Sequence, residues 1–186
     1  MSPPADLLSL ARTIAANHAL DPALVCAVIE QESAWDAHAI RYEPAFRTRY
    51  VAPLGLPPTE EVARSISWGL MQVMGQVARE HNFAAKFLSA LCDPAAGIEI
   101  GCTVLVSKFA IASRNAAFTP SDTRGVSLAN LNLSSSLTLP LPSQLPLQLP
   151  SSSLDSALAT RALQLWNGGG NPNYATEVLA RFANYK

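Results

Sequence analysis

Glu32 is the residue whose type and position point most directly to chemistry. Val25, Val28, Ile29 and Glu32 fall on one helical face by the three-and-four spacing rule, while Glu30 lies on another. A carboxylate therefore ends an apolar stripe. Burial there disfavours the charged form and raises the pKa. A carboxylic acid that keeps its proton near neutral pH can hand it to a leaving oxygen, as the cleavage of a glycosidic bond requires. Taken alone, such a residue is more often a helix-end glutamate that is solvated or paired with an arginine. Other chemistries find less support. His18, His38 and His81 are scattered, and Cys26, Cys92 and Cys102 have no zinc-ligand spacing, so no metal site is expected. Cys26 reads as a small buried hydrophobe. Cys92 and Cys102 could approach if their helices meet, but spacing does not establish the geometry of a bridge.

Positioning Glu32 requires helices, and the sequence supplies start signals for them. Asp21-Pro22 pairs a capping carboxylate with a proline that fits a first turn, which predicts a helix over 22–33. Asp93-Pro94 repeats the signal and predicts a helix over 94–113. Residues 7–18 carry an amphipathic pattern. Residues 41–58 contain four prolines and read as an irregular excursion. A helical turn is expected at 60–64 and a further helix over 69–82. No convincing strand pair is visible. Helical character returns at 154–165, and a last helix is expected over 174–182, after Asn167-Gly168-Gly169-Gly170.

Between them, residues 118–153 are dominated by Ser, Leu and Pro, including Leu139-Pro140-Leu141-Pro142. Proline at that density forbids a regular helix and cannot supply sheet donors. The stretch predicts a polyproline-like or disordered insert, a flexible linker rather than a docking segment. The expectation is one mainly α domain over 1–186, interrupted by this insert.

Composition narrows the class. The chain has 186 residues, enough for one compact domain, and close to half are hydrophobic, which excludes global disorder. Thirteen Lys and Arg against fourteen Asp and Glu leave a net charge of −1, unlike a protein that wraps nucleic acid. The first ten residues show neither the basic start nor the apolar run of a signal peptide, and no membrane span is expected.

The residues around Glu32 then acquire a family pattern. Glu32-Ser33 followed by Trp35 resembles the Glu-Ser motif of the lytic transglycosylases of the SLT type, in the lysozyme-like superfamily. Gly69-Leu70-Met71-Gln72 resembles the family's Gly-Leu-Met-Gln motif. Ala162 to Gly169, with Trp166-Asn167, resembles its third motif, and Tyr174-Ala175-Thr176-Glu177-Val178 its last. Asp93-Pro94 with Gly97-Ile98-Glu99-Ile100-Gly101 is similar to the helix between the second and third. Each motif alone is weak; four in the right order are a strong signal.

The resemblance implies a lysozyme-like helical fold around a glycan-binding groove. It implies cleavage of the β-1,4 bond between N-acetylmuramic acid and N-acetylglucosamine in peptidoglycan, with 1,6-anhydromuramic ends. Glu32 would be the single catalytic acid and base, with no cofactor, and the protein would act on the cell wall as a monomer. Ser33 would orient Glu32, or be an ordinary helix residue. Gly69 would permit close backbone approach. Met71 and Gln72 would line the groove, although a methionine at such spacing is more often core. Trp166 and Asn167 would close the site over Glu32, and Tyr174 would hydrogen-bond near it; Trp166 as a core aromatic is the plainer alternative. Trp35 reads as packing.

The sequence departs from the family in two places. Trp166 stands where tyrosine is usual, which keeps the ring, loses the hydroxyl and puts a hydrogen bond from that position in question. Residues 41–67 are longer than the usual spacing and contain Arg41-Tyr42-Glu43. Glu43 reads as surface decoration, or as a second carboxylate that would make the protein a muramidase hydrolysing the same bond. A catalytically idle wall-binding module is the reading of another class, and retention of Glu32, Gln72 and Asn167 argues against it.

Overall fold

The Asp21-Pro22 signal produces the helix that organises the molecule. The computed structural model describes residues 3–117 and 154–186. Helix α1 spans Ala5–Asn17 and α2 spans Pro22–Ser33, with the Asp21 carboxylate accepting from the Ala23 amide at 2.8 Å. Every residue of α2 from Ala23 to Ile29 is buried, so this helix is enclosed on all sides before it reaches Glu30. It ends because Ala34 and Trp35 both take left-handed backbone angles, φ 51° and 70°. That turn sends the Trp35 ring into the core, where its indole donates to the Tyr185 hydroxyl at 3.0 Å.

Helix α6, Pro94–Ala117, is the longest, with Asp93 capping it through the Ala96 amide at 2.9 Å. It has the length and apolar composition to cross a bilayer. Here it is packed between α1 on one side and α7, Ser156–Asn167, on another. Asp155 caps α7 through the amides of Ala157 and Leu158. Helix α8, Tyr174–Phe182, lies against α2 and α7, and a short 3-10 turn, Ala183–Tyr185, follows it. The expected boundaries of these five helices are close, and the chain is mainly helical with a small sheet. The insert expected at 118–153 lies outside the described residues.

The absence of strands was a wrong expectation. Strands β1 (Ile40–Tyr42), β2 (Ile66–Trp68) and β3 (Val73–Met74) form an antiparallel sheet in that order, with Arg41 opposite Ser67 and Trp68 opposite Val73. Runs of two or three residues are too short to show alternation, and β1 is exposed along its whole length. Between β1 and β2 the excursion folds as short turns of helix, the first of them α3, Pro44–Phe46, and then as α4, Pro58–Arg64, the turn expected at 60–64.

The helix expected over 69–82 is also shorter. Gly69 (φ 67°) and Gln72 (φ 47°) leave the helical region, so the chain makes a tight turn and β3 before α5 forms at Gly75–Glu80. The turn is pressed against a neighbouring backbone. A Cβ on Gly69 would sit 2.3 Å from the Leu91 carbonyl oxygen, and one on Gly97 would sit 2.5 Å from the same atom. All three cysteines are free, with Cys26 and Cys102 fully buried.

Candidate active site

Three elements converge on the Glu32 carboxyl. The last turn of α2 presents the acid, the end of α7 presents Trp166, and the start of α8 presents Tyr174. The Trp166 indole N–H donates to Glu32 Oε1 at 2.8 Å, and the Tyr174 hydroxyl donates to the same oxygen at 2.5 Å. The residue missing the family's hydroxyl therefore does supply a donor, because the indole nitrogen reaches where the sequence comparison offered only a ring. Oε2 takes no hydrogen bond among the described residues.

Burial is the largest influence on Glu32 and pushes its pKa up; the Tyr174 and Trp166 hydrogen bonds and the Arg41 positive charge pull against it without reversing it. The Tyr174 phenol is driven up as well, first by its own burial and then by the Glu32 charge and hydrogen bond, so it remains a donor. Two donors on Oε1 have a further consequence. An oxygen already receiving an O–H and an N–H has no room for a third hydrogen, so the proton of the acid form sits on Oε2.

The loop joining Trp166 to Tyr174 is held from several sides. Gly168 and Gly169 take φ 65° and 86°, reversing the chain at the end of α7. Asn167 Nδ2 donates across the loop to the Asn171 carbonyl at 2.9 Å. Asn171 Nδ2 in turn donates to Glu177 Oε2 at 3.2 Å, and Gln31 Nε2, next to the acid, donates to that same oxygen at 2.9 Å. Gln31, Asn171 and Glu177 were not singled out from sequence. The available signal was Glu177 three residues after Tyr174, which places both on one helical face.

The second motif serves the site from behind. The Ser33 hydroxyl donates to the Leu70 carbonyl at 2.8 Å and to the Ile29 carbonyl at 3.2 Å, so it ties α2 to the turn and makes no hydrogen bond to the Glu32 carboxyl. Met71 is fully buried, and its sulfur occupies the space over Gly101. The Gln72 amide is spent within the protein. Its Nε2 donates to the carbonyls of Ala39 and Gly69, both at 2.9 Å, and its Oε1 accepts from the Ser67 hydroxyl at 3.0 Å. These bonds pin β1 and β2 to the turn, together with the Gly69 amide donating to the Ala39 carbonyl at 2.8 Å.

Glu43 lies just past β1. Its carboxylate is paired with Arg41 Nε at 2.5 Å, and its backbone amide donates to Ser65. Among the described residues no cluster of three or more His, Cys, Asp or Glu side chains forms a metal site.

A helical body with a small antiparallel sheet beside a part-buried glutamate is a lysozyme-like arrangement. The model of the transglycosylase SLT domain family matches residues 9–119, more than half of the chain. The chain belongs to that family. The matched stretch holds Glu32, Ser33 and the 69–72 turn, while Trp166, Asn167 and Tyr174 lie beyond it. No curated protein and no solved structure matches the chain.

Proposed function

We propose that this protein is a peptidoglycan lytic transglycosylase in which Glu32 alone acts as acid and then base. The observation that carries this reading is the asymmetry of the Glu32 carboxyl, with Oε1 held by two neutral donors and Oε2 left to carry the proton. In the first step Oε2–H protonates the glycosidic oxygen between N-acetylmuramic acid and N-acetylglucosamine. The anomeric C–O bond breaks, and the N-acetylglucosamine side leaves as an alcohol. Glu32 is now a carboxylate, and the Tyr174 and Trp166 hydrogen bonds strengthen as that charge develops.

In the second step Oε2 takes the proton of the muramic acid C6 hydroxyl while O6 bonds to the anomeric carbon. The 1,6-anhydro ring closes, Glu32 regains its proton, and no water is consumed. Because the nucleophile belongs to the substrate, its proximity is supplied by the sugar itself. No second carboxylate is then required, unlike the pair used by most glycoside hydrolases. The ion pairing of Glu43 with Arg41 supports that role assignment. On this reading α7 and α8, which follow the 118–153 insert, belong to the same catalytic unit, because they carry both donors. Ser33, Gly69, Met71 and Gln72 act as scaffold for β1 and for the end of α2, and Asn167 holds the loop between the donors.

Mass spectrometry of the sugars released from purified sacculi is the test. The expected products end in 1,6-anhydromuramic acid. Reducing muramic acid ends, together with an inactive Glu43→Ala variant, would instead identify a muramidase. Binding to sacculi with no release of sugars would identify a wall-binding module.

A further inference from the structure

Strand β1 carries Arg41 and is tied by hydrogen bonds to the end of α2 that holds Glu32. Ala39, Arg41 and Ser67 are tied to the 69–72 turn through Gln72, and that turn is tied to the residue after Glu32 through Ser33 and Leu70. The Arg41 charge is close enough to act on the Glu32 carboxyl, yet the two side chains form no hydrogen bond. The Arg41 side chain is 73% exposed, and its only charged partner among the described residues is Glu43, which engages Nε. A guanidinium carries five N–H donors in a rigid fork. Glu43, two residues on and on the same face of the strand, pairs with the guanidinium at Nε, and Nη1 and Nη2 make no hydrogen bond among the described residues.

We propose that Arg41 is a specificity-determining residue that binds a carboxylate carried by the muramic acid unit at the cleavage site, held ready by its pairing with Glu43. This rests on the transglycosylase reading for the identity of the sugar. A guanidinium fork matches a carboxylate with two parallel hydrogen bonds, a geometry that neither a neutral sugar hydroxyl nor an N-acetyl group offers. Muramic acid is the one sugar of the glycan that bears such a group. The carboxylate has two sources, the stem peptide in intact strands and the lactyl group once the peptide is removed.

Binding measured in the Glu32→Gln background tests this, because the amide carries no charge and Arg41 can no longer act through the acid. Three ligands are compared by calorimetry: strands with stem peptides, strands stripped of peptides by an amidase, and stripped strands whose lactyl carboxyl has been converted to an amide. The added Arg41→Gln change should weaken binding of at least one carboxylate-bearing strand about tenfold, the scale of a lost hydrogen bond to a charged group. The amidated strand should bind both proteins equally, and Arg41→Lys should restore part of the loss. Loss on peptide-bearing strands assigns the stem carboxylate, and loss on stripped strands assigns the lactyl group. Equal loss on the amidated strand, or no loss on any strand, overturns the proposal. Product analysis of the unmodified protein is independent of this result, so a failure of the transglycosylase reading is seen separately.

Discussion

Glu32 and Glu60 each accept two hydrogen bonds on a single carboxylate oxygen, and their acidities move in opposite directions. The donors to Glu60 Oε1 are the guanidiniums of Arg64 at 2.8 Å and Arg79 at 3.3 Å, and the Arg64 bond is the leading reason that its pKa falls. The donors to Glu32 Oε1 are an indole and a phenol, which carry no charge, and burial outweighs them. Two hydrogen bonds are therefore not what decides whether a carboxyl holds its proton. The charge of the donors and the access of water decide it. One region of the molecule uses a glutamate to staple α4 to α5. The other keeps a glutamate short of bonded counter-ions, which is what an acid catalyst needs.

The largest effect that would break this comparison is loss of catalysis. Glu32→Gln should lower the rate of sacculus clearing by roughly a hundredfold to ten-thousandfold, the usual contribution of general acid–base catalysis. Glu60→Gln should clear sacculi near the unmodified rate. Equal inactivity of the two variants would remove the distinction.

Strand β2 and the 69–72 turn that follows it join the two regions, since Leu70 of the turn holds Ser33 on one side and Trp68 of the strand donates to the Ala63 carbonyl of α4 on the other. Gly69→Ala asks for a Cβ 2.3 Å from the Leu91 carbonyl at φ 67°. Strain of that kind costs about 1–3 kcal/mol before any clash is counted, so a clear drop in denaturant midpoint is expected. Gly55→Ala, at φ 63° with open space around it, should cost about 1 kcal/mol. Equal midpoints for the two variants would show that the turn can yield.

Tyr174→Phe sharpens the reading of the donors. Removing the hydroxyl takes away the largest influence that lowers the Glu32 pKa, so that pKa should rise further. The alkaline limb of the rate–pH profile, where the acid loses its proton, should move to higher pH, with a rate loss of about tenfold from weaker support of the carboxylate. A limb that moves to lower pH would show the phenol acting in another way.

Stability gives the smallest effects, and their signs differ. The Glu32 pKa is raised on folding, so the folded state holds the proton more tightly. Stability from this group is full below the unfolded value and declines as pH rises towards the folded one. Glu32→Gln should therefore be as stable as the unmodified protein at neutral pH or gain about 1 kcal/mol, a common trade at active sites. The Glu60 pKa is lowered, so its contribution is present above the unfolded value and is lost as pH falls through the folded one. Glu60 is partly exposed, and screening holds the effect of Glu60→Gln below about 1 kcal/mol. Thermal melts of both variants at acid and neutral pH check the two signs.

Local chemistry made much of this fold legible in the sequence. Asp21-Pro22 and Asp93-Pro94 start helices because a short carboxylate satisfies free amides and proline loses nothing in a first turn. The glycines after Asn167 end α7 because they accept positive φ. Glu32 could be placed at the end of an apolar stripe from spacing alone. These features depend on residues within one or two turns of each other, and local spacing is what a sequence displays. The tertiary structure alone decided the rest. Trp166 and Tyr174 meet Glu32 from 134 and 142 residues away, and no periodicity encodes which atom of an indole will face a carboxyl. By motif Ser33 is expected to orient Glu32 and Met71 and Gln72 to line a groove; that the Ser33 and Gln72 hydrogen bonds run to Leu70, Ala39 and Gly69, and that Met71 fills the space over Gly101, is visible only in the fold. The Arg41 charge reaches the acid only because three strands too short to read from pattern fold against the turn. Hydrogen-bond direction and charge proximity depend on how distant segments pack, so they exist only once the chain has folded.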